Sequence, residues 1–222
     1  MPRRPSDKVI RDRLHQAIDA IDWLPATLSD RYIRSYQGML HEFAKVRHEG
    51  GWTRARVEAC VRLVYTWMPA RGPLRIDGAV AEEIAVELNL GTNTARLIYL
   101  ASRLAKNSMV SGSKFLHFYD SARFPITDSK LQELSGKPSS PYRVDFYFDY
   151  KAGVELVDEA HARRACEWAT RAFGYAVHRT RAIEAVAFYL IKSGWSHHGV
   201  LPPKKITETH TACSARHTTA KP

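Results

Sequence analysis

The stretch Val110 to Leu131, VSGSKFLHFYDSARFPITDSKL, sets a lysine and an aspartate each beside an expected helix start. Ser111 or Ser113 can cap a helix that buries Phe115, Leu116 and Phe118, which would put Lys114 in its first turn. The positive end of a helix dipole disfavours an ammonium there, and burial acts in the same direction. The amine is therefore biased toward its neutral, nucleophilic form. Pro125 excludes helix for the residue before it, and Asp128 is suited to cap a short helix, Ser129 to Leu134, keeping its carboxylate ionised through backbone N–H groups. If both helix starts face one cleft, an amine nucleophile sits near a fixed negative charge, a pairing suited to cleaving an N-glycosidic bond. His117 lies three residues beyond Lys114 and is the candidate for proton transfer, although a histidine among Phe115, Leu116 and Phe118 is more often a packing residue.

The elements that must position these groups read as helices. Val9, Leu14, Ala17, Ile18 and Ile21 recur three to four residues apart and predict a first helix ending near Trp23. Ser29 is the expected cap of a second, running through Tyr36 and Phe43 to Gly50-Gly51, and Thr53 opens a third that stops before Pro69. Residues 70–77 form a connector. Two further helices between Gly78 and Lys106 are joined at Asn89-Leu90-Gly91. The run Tyr142 to Tyr150 alternates polar with aromatic residues and is the one place where a short strand or extended segment is expected. Val154 to Phe173 reads as one long helix ending at Gly174, and Thr180 as the cap of a last helix, Arg181 to Lys192. The expected architecture is all-α: one helical domain over 1–201, with a subdivision near 70–78, and a disordered basic tail over 202–222.

The formal charge is +10, of which residues 1–13 and 202–222 carry +3 each, leaving +4 for the body. Such basic ends favour a polyanionic partner, DNA above all, but equally serve as solubilising tails. No apolar run approaches the roughly 20 residues a bilayer requires, so neither a membrane span nor a secretory signal is expected, and the chain is placed in the cytoplasm. Cys60, Cys166 and Cys213 lack metal-like spacing and are expected as reduced thiols. His197, His198, His210 and His217 fall at or beyond the end of the folded part, so no metal and no cofactor is expected. Oligomeric state is left open.

The order of small residue, Gly112, small residue and Lys114, followed by a Pro-x-x-Asp that leads into a helix, resembles the catalytic region of the helix-hairpin-helix DNA glycosylases. It is most similar to their lysine-containing, 8-oxoguanine glycosylase-like branch. SKFLHF, FPITDSKL and HRTRAIEAVAFYL at 178–190 also resemble uncharacterised bacterial proteins related to that branch. The resemblance implies that Lys114 attacks the sugar C1′ of a flipped-out modified or damaged base, with or without a lyase step, and that Asp128 stabilises the developing positive charge. It also implies a hairpin near Gly112 and Ser113 that holds a DNA phosphate. Where the family has two glycines this chain has Gly112 and Val110, and its Lys114–Asp128 connector is shorter than usual.

Other readings use other residues. Arg179 and Arg181 are candidates for a phosphate or substrate edge, although Glu184 could simply pair with either. Ala81 to Arg96 has the pattern of a DNA-reading helix-turn-helix, in which Thr92, Asn93 and Arg96 would approach the major groove without any chemistry. Trp52, Trp67, Trp168, Trp195, Tyr147 and Phe148 could stack on bases, yet at helical spacing aromatics are mostly core. A protein-interaction module is the third reading.

Overall fold

In the computed structural model, which describes residues 6–68, 73–91, 93–135 and 142–196, the described chain is helical almost throughout. Helix α1 spans Asp7–Asp19 and a 3-10 turn follows at Ile21–Trp23. Then come α2 (Arg31–His48), α3 (Arg54–Trp67), α4 (Gly78–Leu90), α5 (Thr94–Leu104) and α6 (Met109–Tyr119). After a second 3-10 turn, Ser129–Leu131, come α7 (Gln132–Ser135), α8 (Val144–Glu155), α9 (Glu159–Phe173) and α10 (Arg179–Lys192). Among the described residues no strand forms; Ile76 and Ala105 make an isolated bridge. No described helix is long and apolar enough to cross a membrane. The tail at 202–222 and the histidines at 197, 198, 210 and 217 lie outside the described residues.

Local chemistry explains the helix ends. The Thr53 hydroxyl accepts from the Arg56 N–H and starts α3, while Gly91 and Gly174 adopt left-handed φ values of 69° and 77° that close α4 and α9. The cap of α2 is Asp30, not Ser29: its carboxylate accepts from the N–H groups of both Tyr32 and Ile33. A carboxylate can accept twice at a helix start, and its charge is favoured by the dipole there. The last helix begins at Arg179 with His178 at the cap position, and Thr180 is not a cap, because its hydroxyl donates to the Ala122 carbonyl at 2.7 Å.

Two larger expectations are overturned. The segment near 142–150 is not extended. From Val144 it is helix α8, with Phe146, Tyr147, Tyr150, Gly153 and Val154 buried along one stripe and Phe148 exposed. Residues at i, i+1, i+4, i+7 and i+8 share a helix face, whereas a strand would have buried Phe148 together with Phe146 and Tyr150. Nor is Val154 to Phe173 one helix. Asp158, extended at φ −70° and ψ 167°, breaks it and caps α9 by accepting from the His161 N–H.

The core is continuous, and α10 runs through it. Ten of the eleven residues from Thr180 to Leu190 are buried on this helix, which packs against α1, α8 and α9. A helix buried on nearly all sides can carry polar groups only if they are paired, and α10 carries Arg181 and Glu184. Helices α5 and α6 pack closely. Gly112 permits it, since a Cβ there would lie 2.3 Å from the Ala101 carbonyl oxygen. Cys60 is a buried free thiol and Cys166 a half-buried one; Cys213 lies outside the described residues.

Candidate functional site

Helix α6 begins earlier than its serines suggest. Ser108 occupies the cap position, the N–H groups of Ser111 and Gly112 both bond to the Ser108 carbonyl, and Lys114 falls in mid-helix. The dipole at a helix start therefore does not act on the amine. The hairpin lies upstream too: α5 turns into α6 through Lys106 and Asn107, both left-handed at φ 56° and 48°. Gly112 is thus not a hairpin residue, and its backbone faces α5 rather than any ligand.

What α6 does provide is a row of polar side chains along the extended segment 124–127. The Phe124 carbonyl accepts from Nδ1 of His117 at 2.7 Å, Pro125 from the Tyr147 hydroxyl at 2.9 Å, and Ile126 from the Tyr150 hydroxyl at 3.2 Å. The Thr127 carbonyl accepts from Nζ of Lys114 at 3.2 Å, and its N–H donates to Oγ of Ser113 at 3.1 Å. Four successive carbonyls are thus held by α6 and α8. A buried extended segment without a strand partner needs such donors, because each unpaired backbone group would lose its bonds to water.

That clamp delivers Asp128 to Lys114. Nζ of Lys114 is 3.3 Å from Oδ2 of Asp128 and 3.3 Å from the Val110 carbonyl, so the ammonium has three acceptors. The Lys114 side chain is 7% exposed and that of Asp128 26%. Oδ1 of Asp128 accepts from the Lys130 N–H at 3.1 Å, as expected of a residue opening the turn at Ser129. Burial pushes the Asp128 carboxyl up, but the Lys114 ammonium and the Lys130 N–H outweigh it and hold the group below its ordinary value. Lys114 and Asp128 are brought together.

His117 has a different part. A carbonyl can only accept, so Nδ1 carries the proton and Nε2 accepts from the Tyr36 hydroxyl at 2.7 Å. Fully buried, the ring is pushed down to about 3, chiefly by burial and then by the Arg181 guanidinium. It is a neutral packing and bonding group at ordinary pH.

Arg181 is also interior. It pairs with Glu184 inside the core and lies 5.2 Å over the Tyr36 ring, while its buried Nε has no hydrogen-bond partner among the described residues. Burial raises the Glu184 carboxyl even against the pull of Arg181. Arg179 instead donates to the Val154 and Val157 carbonyls and ties α10 to the end of α8.

No family model, curated protein or solved structure matches this chain. The helix pair α4–α5 therefore has to be judged on its own contacts. The Asn93 side chain accepts from the Arg96 N–H as the α5 cap, and Arg96 reaches back to Glu87 at 2.8 Å and Glu83 at 3.3 Å. Thr92 lies outside the described residues. Of the aromatic candidates, Trp52, Trp67, Trp168, Trp195 and Tyr147 are core, and Phe148 is exposed. Sequence reasoning missed the bonding parts of Tyr36, Tyr147 and Tyr150, whose hydroxyls reach partners at least twenty-two residues away. It also missed an open cleft beside the α5–α6 turn, lined by the cations Arg75, Arg103 and Lys106 together with Asp77 and Asn107.

Proposed function

We propose that this chain is a DNA glycosylase-like enzyme that cleaves the N-glycosidic bond of a modified or damaged base, with Lys114 as nucleophile and Asp128 as its electrostatic partner. The observation that carries the reading is the 3.3 Å contact between Nζ of Lys114 and Oδ2 of Asp128, made across thirteen intervening residues of which the last four are clamped. At rest the ammonium is bonded on three sides, and Asp128 is its more exposed neighbour. A flipped-out nucleotide would reach the amine by displacing that carboxylate contact.

For attack, Lys114 first gives a proton to solvent. Nζ then bonds to C1′ as the glycosidic C1′–N bond breaks, its electron pair leaving on the base, which takes up a proton. Asp128 lies beside the positive charge that develops on the sugar. As the C1′–O4′ bond breaks and the C1′=N double bond forms, O4′ takes up the second amine proton, which leaves a protonated Schiff base on Lys114. Arg75, Arg103 and Lys106 supply cationic contacts for the DNA backbone next to the hairpin.

Borohydride trapping on a panel of modified-base duplexes tests this reading, comparing the intact chain with Lys114→Gln and Asp128→Asn. A covalent adduct is expected for the intact chain, none for Lys114→Gln, and a slowed one for Asp128→Asn. If the intact chain forms no adduct and releases no base, and Lys114→Gln only lowers the melting temperature, the pair is a fold clamp and the enzymatic reading fails.

A further inference from the structure

A second cluster stands on other elements and plays no part in that chemistry. His15 on α1 and His161 in the first turn of α9 stack almost parallel, with ring centroids 4.0 Å apart and 9° between planes. Imidazole nitrogens are metal ligands, and the stack holds two such rings side by side. Burial, and then the neighbouring His161, lower the His15 ring from its ordinary value. Asp158 lies at the edge of the stack, 2.8 Å from Nδ1 of His161 and 3.6 Å from Nε2 of His15. Its carboxyl is held down to about 2 by the backbone N–H and then the ring of His161, so it is a carboxylate.

We propose that His15, Asp158 and His161 bind a borderline divalent cation of the zinc class, through Nε2 of His15, Nδ1 of His161 and one carboxylate oxygen of Asp158. Water completes the coordination. Imidazole nitrogens with a single carboxylate suit zinc, nickel or copper rather than calcium or magnesium, which take sets of oxygens. The three donor atoms already lie within 4.8 Å of one another. Tetrahedral bonds of about 2.1 Å need the donors about 3.4 Å apart, a closure that side-chain rotation supplies. All three side chains can rotate, being 22%, 52% and 25% exposed for His15, Asp158 and His161.

The surroundings favour a cation. Nε2 of His161 is 3.4 Å from Oδ1 of Asp19, the outer carboxylate contact that orients a metal-bound imidazole. Of the nearby cations, Arg11 pairs with Asp12 at 2.7 Å, while Arg164 pairs with Asp22 at 2.8 Å and reaches the same Oδ1 of Asp19 at 3.7 Å. Nε2 of His15 now accepts from the Asp158 N–H at 3.3 Å, and that lone pair would turn to the ion. The proton on Nδ1 of His161 would leave to solvent, and the ring bound as neutral imidazole would carry its remaining proton on Nε2, toward Asp19. A cation there fastens α1 to the start of α9, which are joined across a long stretch of chain, and so stabilises the fold by an amount that rises with the logarithm of its concentration above the dissociation constant.

The test uses the full chain, titrated with zinc by calorimetry and by thermal unfolding, alongside His15→Ala, His161→Gln and Asp158→Asn. Asparagine keeps the cap acceptor but removes the charge, so Asp158→Asn should fold normally without metal. The intact chain should bind one zinc and melt higher in its presence, and each variant should bind at least about tenfold more weakly. Cobalt in place of zinc should give visible absorption of a tetrahedral site in the intact chain and lose it in His161→Gln. Equal zinc affinity in all four proteins would overturn the proposal and assign the cation to the histidines near the end of the chain. So would saturating zinc that leaves the melting temperature unchanged.

Discussion

Replacing Gly112 by alanine should destabilise the protein even though alanine is the better helix former. The new Cβ would sit 2.3 Å from the Ala101 carbonyl oxygen, 2.6 Å from its carbon and 3.1 Å from the Ser102 nitrogen. All three are backbone atoms of α5, so no side chain can swing away. Ordinary contact begins at 3.4 Å, and α5 and α6 must part by about 1 Å. Overpacking of this kind costs about 1–3 kcal/mol and occasionally more, while alanine in place of glycine returns about 1 kcal/mol of helix propensity. With backbone on both sides the upper part of that range applies, for a net loss of about 2 kcal/mol. At about 2–4 °C per kcal/mol for a chain of this size, the melting temperature should fall by about 4–8 °C. Urea unfolding gives the free energy and calorimetry the temperature. Gly38→Ala is the control: in α2, with nothing within 4 Å of its Cβ position, it should be neutral or stabilising by about 0.5–1 kcal/mol. If Gly112→Ala is as stable as Gly38→Ala, the close approach of α5 and α6 is wrong.

Other substitutions probe the interior polar groups. His117 has an ordinary value of 6.5 and a folded one of about 3, so the unfolded chain takes up a proton that the folded chain does not. Its contribution is complete above 6.5 and is lost as pH falls toward about 3, on the order of 3 kcal/mol between neutral pH and pH ~4. Urea titrations across that range should show His117→Gln with a flatter acid limb than the parent; parallel limbs would contradict the buried neutral ring. Arg181→Met leaves Glu184 buried without its cation and should lose about 3–5 kcal/mol, most severely at high pH where the carboxyl must ionise. Arg181→Met with Glu184→Leu should recover most of that loss, and a double variant no more stable than the single one would assign Arg181 a partner other than Glu184.

How far the helices could be read from composition and spacing follows from which interactions form them. Apolar periodicity marked α1 to α5, α9 and α10, and Thr53 began a helix and Gly91 and Gly174 closed theirs where side chain or φ demands it. Lys114 and Asp128 were legible as a pair because their residue types stand beside a proline and a helix start. Their setting was misread. Lys114 lies in mid-helix because the α5–α6 turn forms at Lys106-Asn107, two residues whose left-handed conformation has no signature as strong as glycine. The region 144–150 was misread because an aromatic run fits both a period of two and a period near four until a neighbour selects the buried face.

The amino-acid sequence by itself determined the helical class, most helix ends, and the residues able to do chemistry, because these depend on interactions spanning four residues or fewer. Tertiary structure alone decided which of those residues meet. Lys114 reaches Asp128 because His117, Tyr147 and Tyr150 hold the carbonyls of 124–126 and Ser113 holds the Thr127 N–H, and Arg181 is denied to solvent by Glu184 and Tyr36. His15 meets His161 by the packing of α1 on α9. Contacts between distant segments depend on how the apolar faces stack, and no local pattern records that.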